Sequence, residues 1–171
     1  VIRRALLVAA ALALVLAASC GYRAGYTPPV GATVGVAFFE NLSKERDLDR
    51  DLHPPLSDSV LRIVRAPLVH PERAEYRIEG RILDFRRRNG IRDTENRLLE
   101  TGVLISVEAR LVHVPPGASE PVVLRVVTVQ DERGYNLDES NGEAEARLRA
   151  LRNISDRVVI DLFSDLAWDA P

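Results

Sequence analysis

Val103-Leu104-Ile105-Ser106-Val107-Glu108-Ala109-Arg110-Leu111 places an apolar side chain at every odd position, while Ser106, Glu108 and Arg110 hold even ones. A period of two marks a half-buried strand, because successive side chains leave the pleat on opposite sides. One face of this strand is therefore core and the other meets water or a partner. Upstream, Tyr76-Arg77-Ile78-Glu79-Gly80-Arg81-Ile82 alternates in the same way, and then Leu83 and Phe85 shift phase by one, which predicts a bulge. Downstream, Val122 to Val129 is more continuously apolar. Asn89-Gly90 with a charged stretch joins the first pair of strands and Pro115-Pro116-Gly117 the second, so antiparallel hairpins are the expected pairing.

Flanking these strands are two helical patterns. Leu48, Leu52, Leu56, Val60, Ile63 and Val64 recur at steps of three and four. Pro54 and Pro55 lack amide protons and suit only a first turn, so the regular part is expected from about Pro54 to Arg65. Near the C-terminus, Leu148, Leu151, Ile154 or Ser155, Val158, Leu162 and Leu166 form one stripe, with Asn141 or Gly142 as cap and Glu143 and Glu145 where the helix dipole favours negative charge. Thr33 to Phe38 reads as a first strand, ended by the polar turn Glu40-Asn41-Leu42-Ser43. The order βαβββα predicts an α+β fold: a two-layer sandwich of a four-stranded, mainly antiparallel sheet with two helices on one face.

The chain has 171 residues, a formal charge of −2 and 46% hydrophobic residues, the profile of one globular domain. Near-neutral charge removes the counterion-release drive of sequence-independent nucleic-acid binding, so no nucleic-acid partner is expected. The sole cysteine, Cys20, rules out an internal disulfide. Before it stand Arg3 and Arg4 and the apolar run Ala5 to Ala17. At ~1.5 Å per residue that run makes about 20 Å of helix, short of the ~30 Å hydrocarbon core, so it reads as a cleaved signal rather than a span. Leu16-Ala17-Ala18-Ser19-Cys20-Gly21 resembles the bacterial lipoprotein lipobox, with Ala17 where Leu is usual. The resemblance implies processing after residue 19 and lipidation of Cys20, and two or three acyl chains would hold the protein to a membrane. The expected organisation is a signal over 1–19, a lipidated cysteine and flexible tether over 20–32, and one α+β domain over 33–168. Gly21 is permissive for transport to the outer membrane in diderm lipoproteins, so the expected location is its periplasmic face.

Signatures of P-loops, serine hydrolases, zinc proteases and paired-cysteine sites are absent from the sequence, and neither enzymatic activity nor a cofactor is expected. His53, His70 and His113 lie in separate segments without metal spacing. Asp47, Asp49, Asp51 and Asp58 imitate a calcium loop, but Leu52 replaces its glycine and Pro54-Pro55 obstructs it; an acidic helix entry is the better reading. One charge cluster remains, Arg86-Arg87-Arg88 with Arg92 and Arg97 nearby, expected at a hairpin tip. It is either a solvated tip or a contact for anionic lipid or a partner, since guanidinium groups pair well with phosphate.

Cys20-Gly21-Tyr22, Val34-Gly35-Val36-Ala37-Phe38-Phe39-Glu40-Asn41, the leucines of the first helix, and Tyr76 to Phe85 together resemble the LptE family of lipopolysaccharide-assembly lipoproteins. The resemblance extends to the final helix. It implies the same two-layer sandwich, a non-catalytic role, and two partners: a large outer-membrane β-barrel translocon, LptD-like, whose lumen the protein plugs, and lipopolysaccharide, whose phosphates Arg86, Arg87, Arg88 and Arg92 would meet. The alternative is an outer-membrane lipoprotein that regulates a periplasmic peptidoglycan synthase, since that class also opens on a Val-x-Val-x-x-Phe-x-Asn strand.

Overall fold

The structure, a computed structural model, describes residues 31–92, 94–95, 98–115, 120–164 and 166. Cys20, the signal segment, Arg97 and Trp168 lie outside them. Strand β4, Leu98–His113, is the centre of the sheet, flanked by β3, Tyr76–Arg92, and β5, Val122–Asn136, both antiparallel to it. Its odd residues Val103 to Leu111 are fully buried, whereas Ser106 and Glu108 are half-buried and Arg110 is exposed. The alternation thus sorts the two faces as expected.

Beyond β3 lie β1, Val34–Val36, and a two-residue β2, Glu40–Asn41, both parallel to β3. The sheet is therefore mixed and holds five strands, one more than expected. Residues 40–41, expected as turn, pair with Arg81 and Ile82 before the chain turns away. The turn follows at once: the Asn41 side-chain oxygen accepts from the Ser43 amide (3.1 Å) and hydroxyl (2.7 Å). Parallel pairing of β1 with β3 requires a crossover, and helix α1, Leu48–Ser59, supplies it.

Helix α1 starts six residues before the expected point and carries both prolines inside. The missing amides cost backbone bonds to Arg50 and Asp51, a penalty of about 3 kcal/mol or more for an interior proline. Against it stand Leu48, Leu52, Leu56, Val60 and Val64, each at most 1% exposed. At roughly 1.5–3 kcal/mol per buried aliphatic side chain, that stripe outweighs the local defect. After Ser59 the helix widens into a π turn, Val60–Val64. The Arg65 amide donates to the Val60 carbonyl at 3.1 Å, and Arg65 ends the helix in a left-handed conformation with φ 59°.

Helix α2, Gly142–Phe163, buries Ala146, Ala150, Leu151, Ile154, Ser155, Val158, Val159, Leu162 and Phe163 against the sheet and α1. Leu148, expected in that stripe, is 41% exposed, and the small residues Ala146 and Ala150 take the close-packed positions instead. Arg125 of β5 closes the far end: its Nη1 donates to the Asp161 carbonyl (2.8 Å) and the Ser164 hydroxyl (2.7 Å), and also reaches the Ser164 carbonyl. A guanidinium on the last carbonyls suits the negative end of the helix dipole. No helix among the described residues is long and apolar enough to cross a membrane. On the outer side of β5 no strand is paired among the described residues.

Candidate functional site

The expected bulge decides where the arginines point. Ile82 pairs with Val107 but Asp84 with Ser106, so Leu83 is the extra residue. From there Phe85 and Arg87 stand opposite the buried Ile105 and Val103, on the helix side, while Arg86 and Arg88 stand on the open side. The arginines do not form a hairpin tip. Strand β3 runs on to Arg92 and remains paired with β4, because neighbouring carboxylates neutralise each guanidinium of the triplet within the strand.

Arg87 belongs to the fold. Its Nε lies 3.0 Å from both carboxylate oxygens of Glu143 in the first turn of α2, and its Nη2 lies 2.5 Å from one of them. The Tyr135 hydroxyl donates to the same carboxylate at 2.9 Å. Glu45 lies 3.5 Å from both Arg87 and Arg147, and Arg147 reaches Asp51 at 2.9 Å, an ion pair without hydrogen-bond geometry. This cluster ties α1, α2, β3 and β5 together where α2 begins.

Its titration follows from the contacts. The hydrogen bond from Arg87 holds the Glu143 carboxyl below its ordinary 4.5, partly opposed by burial and aided by Tyr135. Burial, then the bond to Glu143, pushes the Tyr135 hydroxyl up. A carboxyl whose folded value is depressed contributes stability that is complete above its unfolded value and is lost as pH falls through the folded one. Glu143→Gln should therefore lower the urea midpoint at pH 7, with the gap to the parent closing as pH drops below 4.5.

The open side is a ladder of ion pairs. Arg110 meets Glu79 at 2.6 Å, Arg81 meets Glu108 at 2.6 Å, and Arg88 meets Glu132 at 2.6 Å and Glu100 at 3.4 Å. Arg77 pairs with Glu79 and Arg86 with Asp84. Exposed pairs of this kind each contribute roughly 0–1 kcal/mol, so their effect is to keep the face charged and hydrated. Arg86 is the most available of the triplet, its side chain 75% exposed. Arg92 is exposed near the end of β3.

At the β1 and β2 edge of the open side is a recess of about 520 Å³ lined by Phe38, Glu40, Glu79, Gly80, Arg81, Glu108 and Arg110. Phe38 is 65% exposed yet ordered, its ring stacked on His53 at 4.3 Å. In the sequence Phe38 stands only as the end of the first strand. The signal was the Phe38-Phe39 pair itself, since of two consecutive rings on an edge only one can enter the core. His113 stacks on Tyr76 at 4.6 Å, and among the described residues no cluster of three metal-binding side chains occurs.

No family model matches the chain, and no curated protein does. Solved structures match its fold. A PelC dodecamer from Paraburkholderia phytofirmans aligns at 15% identity over 83% of this chain and 94% of that one, with a TM-score of 0.55. The hypothetical protein CT253 from Chlamydia trachomatis aligns at 12% identity over 78% and 99%, with a TM-score of 0.54. This chain has their fold. Looser matches include the rare lipoprotein B from Shewanella oneidensis, at 13% identity over 76% and 92% with a TM-score of 0.43. At such identities the likeness establishes architecture and nothing about activity.

Proposed function

We propose that this chain is a non-catalytic, lipid-anchored outer-membrane lipoprotein of lipopolysaccharide assembly, which associates with an LptD-like β-barrel and contacts lipopolysaccharide. The observation that carries the reading is spatial. The two separate segments that resemble the LptE family, Val34–Asn41 and Tyr76–Phe85, lie side by side as parallel neighbours in one sheet. Over β3 and β4 the charged open side supports it as well, because a hydrated ladder of ion pairs suits the water-lined lumen of a barrel, while β5 adds an exposed apolar end at Val122, Val123, Leu124 and Val126. The pattern Val-x-Val-x-x-Phe-x-Asn that a synthase regulator would share is met by the fold itself, since Val34, Val36 and Phe39 fill the core and Asn41 makes the turn, so the first strand alone does not separate the two readings.

Purification from detergent-solubilised membranes tests the reading. A large β-barrel should accompany the protein; a peptidoglycan synthase in its place would favour the alternative. Arg87 lies on the helix side, bound to Glu143, so the glycolipid contact falls to Arg92 and to the open-side Arg86 and Arg88, which would exchange Asp84, Glu100 and Glu132 for phosphate. The double variant Arg86→Ala, Arg88→Ala should keep the parent's circular dichroism and thermal midpoint to within a few degrees while binding lipopolysaccharide more weakly. Unaltered binding would remove both from the contact. Cys20→Ala should leave an unprocessed or soluble form, read by membrane fractionation.

A further inference from the structure

We propose that the recess beside Phe38 binds one or two sugar units, neutral or amino-bearing but not anionic. Its lining carries both hydrogen-bond donors and acceptors: the guanidiniums of Arg81 and Arg110 give only N–H, while Glu40, Glu79 and Glu108 only accept. A sugar hydroxyl does both, so a polyol can bridge Arg81 and Glu108, or Arg110 and Glu79, without leaving either partner unmatched. A peptide backbone can also donate and accept, and what separates the two ligands is the C–H ring face that a pyranose offers to Phe38. An anionic sugar meets three carboxylates against two guanidiniums.

Phe38 supplies the apolar complement. The C–H face of a pyranose ring packs on an aromatic face, and stacking on His53 at 4.3 Å already fixes the Phe38 ring, so little side-chain freedom is lost on binding. Glu40, on the rim, forms no side-chain ion pair among the described residues but lies near enough to Arg81 for the two charges to interact, and its carboxylate can accept a ligand ammonium. The volume lies within the range of small-molecule sites. Arg81 precedes Arg88 by roughly 20 Å of strand at ~3.3 Å per residue, so this site is separate from the arginine contact and does not rest on the function proposed above.

Calorimetric titration of the full chain in detergent decides the matter, using glucosamine tetramer, N-acetylglucosamine tetramer, galacturonate tetramer and hexa-arginine as probes. The first two should bind, and galacturonate at least tenfold more weakly. Phe38→Ala, at an exposed position, should keep the fold and lower affinity for both at least tenfold. Glu40→Gln should selectively weaken the glucosamine tetramer, and Arg81→Gln should weaken both. Absence of binding by either amino-sugar probe, or unchanged affinity in Phe38→Ala, would overturn the proposal. Hexa-arginine competing at equal affinity would do so too, assigning the recess to a basic peptide.

Discussion

Phe163→Ala should lower the unfolding free energy by about 3–5 kcal/mol, the range for deleting a buried aromatic ring. Phe163 is the largest of the fully buried side chains and stands in the last turn of α2. Two features keep the hole from collapsing. The backbone there is held by Arg125, whose guanidinium reaches across from β5 to the helix's final carbonyls. Leu162 beside it is already fully buried and cannot swing in. Urea denaturation followed by circular dichroism reads the loss as a lower midpoint with an unchanged slope. A loss below 1 kcal/mol would mean that the C-terminal turn relaxes into the space.

Gly80→Ala should cost about 1–3 kcal/mol, the range for adding atoms to a packed site. A β-carbon at residue 80 would sit 2.2 Å from the Glu108 carbonyl oxygen and 2.4 Å from the Phe39 ring. The carbonyl belongs to the β3–β4 ladder and the ring to the core, so neither yields cheaply. Because Gly80 also lines the Phe38 recess, the variant should combine lower stability with amide shift perturbation around residues 38–40. A parent-like thermal midpoint would show that Phe39 moves aside freely.

The faces of the sheet were legible because alternation is a local property. Val103 to Leu111 declared its buried side, and the phase change at Leu83 declared its bulge. The start of α1 was not legible, since the sequence displays the cost of Pro54 and Pro55 and hides the compensation, which comes from leucines packing on elements far along the chain. Strand β2 escaped for a related reason. Two residues carry no periodicity, and only the neighbouring Arg81 and Ile82 make Glu40 and Asn41 a strand. The arginines were found as a cluster but misplaced at a tip, because their partners, Glu45, Asp84, Glu100, Glu132 and Glu143, come from five different segments of the chain. Phe38 was legible as the end of a strand but not as a surface ring: a Phe-Phe pair says that one ring stays outside, not which.

Strand β5 has a consequence for handling the protein. From Val122 to Val129 its outer border carries no proline and no lysine, and Arg125 is drawn away to the end of α2. Such a border, unpaired among the described residues, is a template on which another extended chain can lay its own amides. In a crowded tube, away from its native surroundings, the molecule will tend to gel or form fibrils through that margin well before its interior gives way, so shelf life and melting temperature will be governed by different residues.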